Sequence, residues 1–230
     1  MVANYSPTDK KVPPLENGDR LSRPEFERRY TATPDQRKME LIEGVVYVAS
    51  PLRFEQHAEP HSDLIGLLWT YRRGTPGIRL GIEPTIRLDL DNAPQPDGVL
   101  FFDQSIGGNC RITEDDYLEG APEFVAEIAA SSVAYDLHDK KRAYRRNGVQ
   151  EYMIWKIYEN ELDWFALRDG EYVQLLPDEM GIIRSQILAG FWLAVPALLA
   201  GNMVEVLAVL QQGLNSSEHA DFVKQLSEKH

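Results

Sequence analysis

The 230-residue sequence has one cysteine, Cys110. A lone thiol excludes a disulfide framework and any zinc site built from several cysteines. Positive charge is scarce as well. There are 24 Lys and Arg against 36 Asp and Glu, a formal net charge of −12. Bulk charge of that sign does not draw a chain onto nucleic acid, so contact with DNA or RNA has to come from a local basic patch. No apolar run reaches the roughly 18 residues of a spanning helix. The opening residues, MVANYSPTDKKVPP, lack an apolar signal stretch, so a cytoplasmic chain with no membrane partner is expected. Internal repeats are absent, as is a Gly-x-Ser-x-Gly elbow, and Gly107-Gly108 lacks phosphate-loop spacing.

What is present supports a core: 43% of residues are hydrophobic. Residues 1–20, polar and holding Pro7, Pro13, Pro14 and Gly18, read as a mobile tail. The remainder, 21–230, reads as one domain in which strands and helices alternate, an α/β or α+β fold. Ser22 and Glu25 mark a helix start, with Pro24 in its first turn and Pro34 beyond its end. Apolar runs 39–42 and 45–48 around Glu43-Gly44 predict a hairpin. A helix is expected over 61–71, strands over 78–82, 85–90 and 97–102, and a central strand over 124–130. A helix over 136–147 with Gly148 past its end follows, then strands over 149–157, 162–167 and 172–176. A helix from Pro196 to Leu210 and an amphipathic one from Ser217 complete the reading. Phe191-Trp192-Leu193 and the C-terminal helices carry more apolar surface than a small sheet needs, so a homodimer is expected.

Three features bear chemistry. Glu127 sits inside the apolar strand Phe124-Val125-Ala126-Glu127-Ile128-Ala129-Ala130, where a carboxylate is costly unless a cation, a donor or a metal meets it. A salt-bridged Glu and a metal ligand or general base are both open readings. Asp97 follows Pro96 at the head of a strand and is by itself a turn residue. Beside Glu127 it would make a carboxylate pair that needs a proton or a divalent cation, and hard oxygen donors suit Mg²⁺. The third feature is the segment 136–147. On a helix, Leu137, Lys140, Ala143, Tyr144 and Asn147 share one arc of roughly 120°. Lys140 thus faces inward and needs an anionic partner, whereas Lys141, Arg142, Arg145 and Arg146 lie outside that arc. That quartet is either a solvated face or a contact for a phosphate backbone.

The order of motifs resembles a known family. Met39-Glu40-Leu41-Ile42-Glu43-Gly44, Ser50-Pro51, a following His, Pro96-Asp97, Pro122-Glu123-Phe124-Val125-Ala126-Glu127-Ile128 and Ser131-Ser132 come first. Asp136, Lys140, Tyr144 and Gly148-Val149-Gln150-Glu151-Tyr152 follow. Together they are similar to the Uma-two family of restriction endonucleases in the PD-(D/E)XK nuclease superfamily. The resemblance implies a restriction-endonuclease-like mixed β-sheet flanked by helices. It also implies a metal-dependent endonuclease that hydrolyses DNA phosphodiesters with Mg²⁺, or Mn²⁺ as substitute. Asp97 and Glu127 would hold the metal with the Ile128 carbonyl, and Lys140 would supply the catalytic cation. The superfamily's usual Lys, two residues after the Glu, is Ala129 here; in the resembled family it has moved to the next helix, where Lys140 matches. Glu40 and either His57 or His61 match further recurrent positions as accessory residues. His57 and His61 are spaced as helical metal ligands, but the intervening Pro60 argues against one helix through both, and a structural or polarising role is favoured over zinc. The rival readings are a catalytically inactive nuclease fold that binds or regulates, which the net charge favours, and a nuclease acting on RNA.

Overall fold

A computed structural model describes residues 12–32, 38–49, 51–130 and 136–229. Helix α1 (Arg23–Thr31) precedes the hairpin β1 (Met39–Ile42) and β2 (Val45–Val48). A π-helical turn, Phe54–Ala58, runs directly into α2 (Glu59–Gly74). Strands β3 (Ile78–Ile82), β4 (Ile86–Arg87), β5 (Gly98–Phe102), β6 (Arg111–Ile112), β7 (Leu118–Glu119) and β8 (Phe124–Ala129) follow. A second π-helical turn, Asp136–Lys140, leads into α3 (Lys141–Asn147). The chain continues through β9 (Glu151–Lys156), β10 (Glu161–Arg168), β11 (Glu171–Gln174), β12 (Ile182–Arg184) and β13 (Trp192–Ala194). It closes with α4 (Val195–Leu199), α5 (Met203–Leu214) and α6 (Ser217–Ser227).

Six strands form one mixed sheet in the order β11-β10-β9-β8-β5-β3. β8 and β9 are parallel and every other pair in this sheet is antiparallel. A parallel pair needs a crossover, and the 136–147 segment lies in it. Every residue of β8 and β9 is buried, as expected for strands covered on both faces. One face packs Phe124, Ala126, Ile128, Met153 and Trp164 against α2, the β12–β13 hairpin and the C-terminal helices. The other packs Val99, Val125, Ala129, Tyr152 and Ile154 against Tyr144 of α3. A third, small cluster of Leu15, Phe26, Met39, Leu41, Val46 and Ala93 holds the β1–β2 hairpin. No helix among the described residues is long and apolar enough to cross a membrane.

Several expectations need correction. Residues 12–20 are not a free tail: Leu15 is buried, and Gly18 N–H and Leu21 N–H donate to Val46 and Gly44 carbonyls, so the stretch lies along β2. Residues 1–11 and Ser131-Ser132 lie outside the described residues. The strand expected over 85–90 shrinks to Ile86–Arg87, because Leu88 and Asp89 N–H turn back onto the Asn92 carbonyl. The helix expected from Pro196 breaks at Ala200-Gly201-Asn202, where the Asn202 side chain accepts from Glu205 N–H and starts α5 afresh. Phe191 and Leu193 are fully buried in the chain's own core, around the β12–β13 hairpin that the sequence reading missed. Those two residues therefore supply no apolar surface for a second copy, while Trp192 between them is half-buried and Val204 of α5 is exposed.

Candidate active site

The site forms where β5 and β8 part. Their ladder ends at Gly98 opposite Ala126, and extending it by one residue sets Asp97 opposite Glu127, on the same face of the sheet. Pro96 has no N–H with which to continue the ladder. Ile128 N–H instead donates to Asp97 Oδ2 at 2.7 Å. A side chain thus stands in for a ladder acceptor, and Asp97 is 2% exposed and fixed in direction. Gly98 lets α2 come close: a Cβ there would lie 2.7 Å from Leu68 Cδ1. This approach brings His61, in the first turn of α2, within 3.0 Å of the Asp97 carbonyl oxygen through Nε2.

Lys140 lies at the junction of the second π-helical turn and α3, and it is 4% exposed. Its Nζ donates to Glu127 Oε1 at 2.9 Å and lies 3.0 Å from Glu40 Oε1. Tyr144, one turn further on the same face, donates its hydroxyl to Glu127 Oε1 at 3.0 Å. Glu40 also accepts from Gln95 N–H at 2.6 Å, so β1 is tied to the segment that leads into Asp97. The structure therefore gathers Glu127, Lys140 and Glu40 by direct contact. It sets Asp97 beside them, with His61 on the Asp97 backbone.

Sequence reasoning overlooked Lys38. Its Nζ is 3.5 Å from Asp97 Oδ1 and 2.9 Å from Glu83 Oε1. The signal was there: Lys38 and Glu40 are two apart, on one face of an extended segment. Burial alone would lower the Lys38 pKa, but Asp97, Glu83, Glu127 and Glu40 outweigh it and raise it. Burial likewise pushes Asp97 up, yet His57, Lys38 and the Ile128 N–H together hold it well below the ordinary carboxylate range. His57 and His61 were not expected on one helical run. The π-helical turn passes directly into α2, and Pro60, the second residue of α2, lies at their junction, so both histidines fall on one helical run. Their rings meet edge to face with centroids 5.5 Å apart.

The basic quartet is occupied. Lys141 lies over the Phe165 ring, 3.3 Å from its centroid. Arg142 pairs with Asp139, Arg145 with Glu171, and Arg146 with Glu43.

Three carboxylates, Glu40, Asp97 and Glu127, face two ammonium groups, Lys38 and Lys140. Like charges this close need cations among them, and the two lysines supply them; the carboxylate oxygens are also the donor type that suits a hard divalent ion. One donor atom each from His57, His61 and Asp97 also lie within 4.8 Å of one another.

No curated protein matches the chain. A crystal structure described as a "putative nuclease belonging to DUF820", from Anabaena variabilis, superposes with a TM-score of 0.60 at 15% identity, over 78% of this chain and 98% of that one. At that identity the likeness shows a shared fold. The family model described as "Putative restriction endonuclease" matches residues 23–196. With three quarters of its length matched, the chain belongs to the Uma2 family of restriction-endonuclease-like proteins.

Proposed function

We propose that this chain is a metal-dependent endodeoxyribonuclease that hydrolyses DNA phosphodiester bonds, with Mg²⁺ as its ordinary ion and Mn²⁺ able to substitute. The observation that carries the reading is Lys140: a buried ammonium shared by Glu127 and Glu40 beside a third buried carboxylate, Asp97. Asp97 and Glu127 would hold the ion, with the Ile128 carbonyl. When bound, that ion supplies an acidified water and offsets charge on the phosphate. Lys140 orients the water or meets the charge that builds on the phosphoryl oxygens. Glu40 and Tyr144 position Lys140 and Glu127, and His61 anchors the Asp97 backbone.

Arg142, Arg145 and Arg146 are the proposed contacts for the DNA backbone. Of their present partners Glu171 is exposed and Asp139 and Glu43 are half-buried, and ion pairs near the surface are weak enough to exchange for phosphates. Lys141, seated on Phe165, is the least available of the quartet. Cutting both strands from one site per chain calls for a homodimer, with a cytoplasmic location as its setting.

Plasmid cleavage in Mg²⁺ tests the reading. Wild type should nick or linearise, and Asp97→Ala and Glu127→Gln should not. Cleavage that survives both variants sinks it. The net charge of −12 and the paired arginines favour a second reading, a nuclease fold that binds or regulates without cutting. Salt-dependent DNA binding without cleavage would establish that one.

A further inference from the structure

We propose a second cation position on the Oδ1 side of Asp97, built by His57, His61 and Asp97, that takes a borderline transition-metal dication in preference to Mg²⁺. The two oxygens of Asp97 look different ways. Oδ2 accepts from Ile128 N–H and keeps a lone pair for the ion proposed above, while Oδ1 faces His57 and Lys38. His57 Nε2 stands 3.4 Å from Oδ1. That is long for a charge-assisted hydrogen bond, normally about 2.7–2.9 Å. It is about the separation of two ligands on a tetrahedral ion with bonds of about 2.0–2.1 Å.

The other nitrogen of His57, Nδ1, is buried and has no hydrogen-bond partner among the described residues. Among the described residues the ring's polar contact is with Asp97, so Nδ1 is not committed to another group. His61 is the opposite case. Its Nε2, at 3.0 Å from the Asp97 carbonyl, donates its proton there and leaves Nδ1 with the lone pair. A ligating histidine is commonly fixed in this way through its second nitrogen.

Two imidazoles and one carboxylate make a nitrogen-rich set. Mg²⁺ favours all-oxygen octahedra, whereas imidazole suits Co²⁺, Zn²⁺ and their neighbours. Lys38 is the charge that opposes the ion, and its bond to Glu83 gives it a place to withdraw. The proposal rests on the nuclease reading only through the shared Asp97.

The test uses the full chain stripped with chelator. Cobalt binding is followed by visible absorption, and Co²⁺ and Mg²⁺ affinities by calorimetry. Wild type should bind Co²⁺ at least about tenfold more tightly than Mg²⁺ and develop ligand-field bands. His57→Gln, which loses no intramolecular partner at Nδ1, should cut Co²⁺ affinity at least about tenfold and leave Mg²⁺ affinity within about twofold. Equal Co²⁺ binding by His57→Gln and wild type overturns the proposal, as does a wild-type preference for Mg²⁺. His61→Gln should repeat the cobalt loss, but it also gives up the bond to the Asp97 carbonyl, so His57→Gln decides. Glu127→Gln separates the two readings: it should abolish plasmid cleavage yet keep the cobalt spectrum. Absent cleavage in wild type with an intact cobalt spectrum would sink the nuclease reading and leave this one standing.

Discussion

Two buried glutamates on opposite faces of the central sheet have had opposite fates. Glu151 opens β9 and is fully buried, and Glu127 lies mid-way along β8 with 3% exposed. Among the described residues Glu151 is met by neutral donors: Trp164 Nε1–H at 3.0 Å, the Ser185 hydroxyl at 2.9 Å and Gln186 N–H at 2.7 Å. Burial outweighs those donors and pushes its pKa up to about 7. Glu127 is met by an ammonium and a phenol, with a second carboxylate on that same ammonium. A carboxylate among neutral donors clamps the β12 segment to the sheet and tends to keep its proton. One met by an ammonium has its charge balanced where it lies and can serve an ion. The sign of the neighbours, and not the depth of burial, separates a staple from a site.

The comparison breaks most visibly at Lys140. Lys140→Met should cut plasmid cleavage by about 10²–10³-fold, the usual loss for one transition-state donor. It should also cost about 3–5 kcal/mol, because Glu127 and Glu40 lose their buried cation. Urea melts of Lys140→Met and of Lys140→Met with Glu127→Gln measure this, and the double variant should recover part of the loss. Lys141→Met should be far milder in both assays. Equal losses from the two lysines would remove Lys140 from its role.

On the other face, Phe191 packs on Phe124 and Trp164. Phe191→Ala should cost about 3–5 kcal/mol in the same melts and leave cleavage per folded molecule unchanged. A selective loss of activity would mean the faces are not separate.

Glu151 sharpens the contrast through pH. Unfolded, its carboxyl titrates near 4.5, and folded near 7. Between those values the folded chain holds a proton that the unfolded chain has lost. Its contribution is therefore full below pH 4.5, falls as pH rises through the window, by up to about 3 kcal/mol, and is flat above pH 7. Relative to wild type, Glu151→Gln should lose that slope in denaturant melts taken from pH 4.5 to 7.5. Parallel curves would show that Glu151 is charged throughout.

The smallest effect belongs to the outer face of α3. Replacing Arg142, Arg145 and Arg146 together by Ala should weaken DNA binding equally across sequences and reduce the log–log salt slope by at most about 3. An unchanged slope would leave these arginines as plain surface ion pairs.

Much of this was legible in the sequence, for identifiable reasons. The β1–β2 hairpin was marked by two apolar runs around Glu43-Gly44, and α3 by its inward stripe and Gly148, which sits at φ of 85° past its end. The inward stripe also fixed the direction of Lys140 before any partner was known. What stayed hidden depended on long-range register. Period-2 patterning treats Glu127 and Glu151 alike, since it cannot say what lies across the sheet. Lys38 becomes part of the site only because β1 is carried across to Asp97. His57 and His61 were judged apart because Pro60 reads as a helix break, whereas a π-helical turn absorbs it. Phe191 and Leu193 looked like interface residues because the β12–β13 hairpin that buries them is short and weakly patterned.

The hairpin that carries Glu40 pairs with itself and not with the main sheet, and its apolar support is the small cluster around Phe26 and Leu41. Every residue of β1 is buried, but a unit that rests on so small a cluster is expected to open locally at lower free energy than the six-stranded sheet beside it. Such an opening would carry Glu40 away from Lys140, with Lys38 beside it, while the rest of the chain stayed folded. The competence of the site is then governed by a sub-global equilibrium distinct from overall stability. Amide hydrogens of Leu41 and Val46 should exchange faster than those of Val125 and Ile154, and a ligand seated among these carboxylates should slow the first pair before the second.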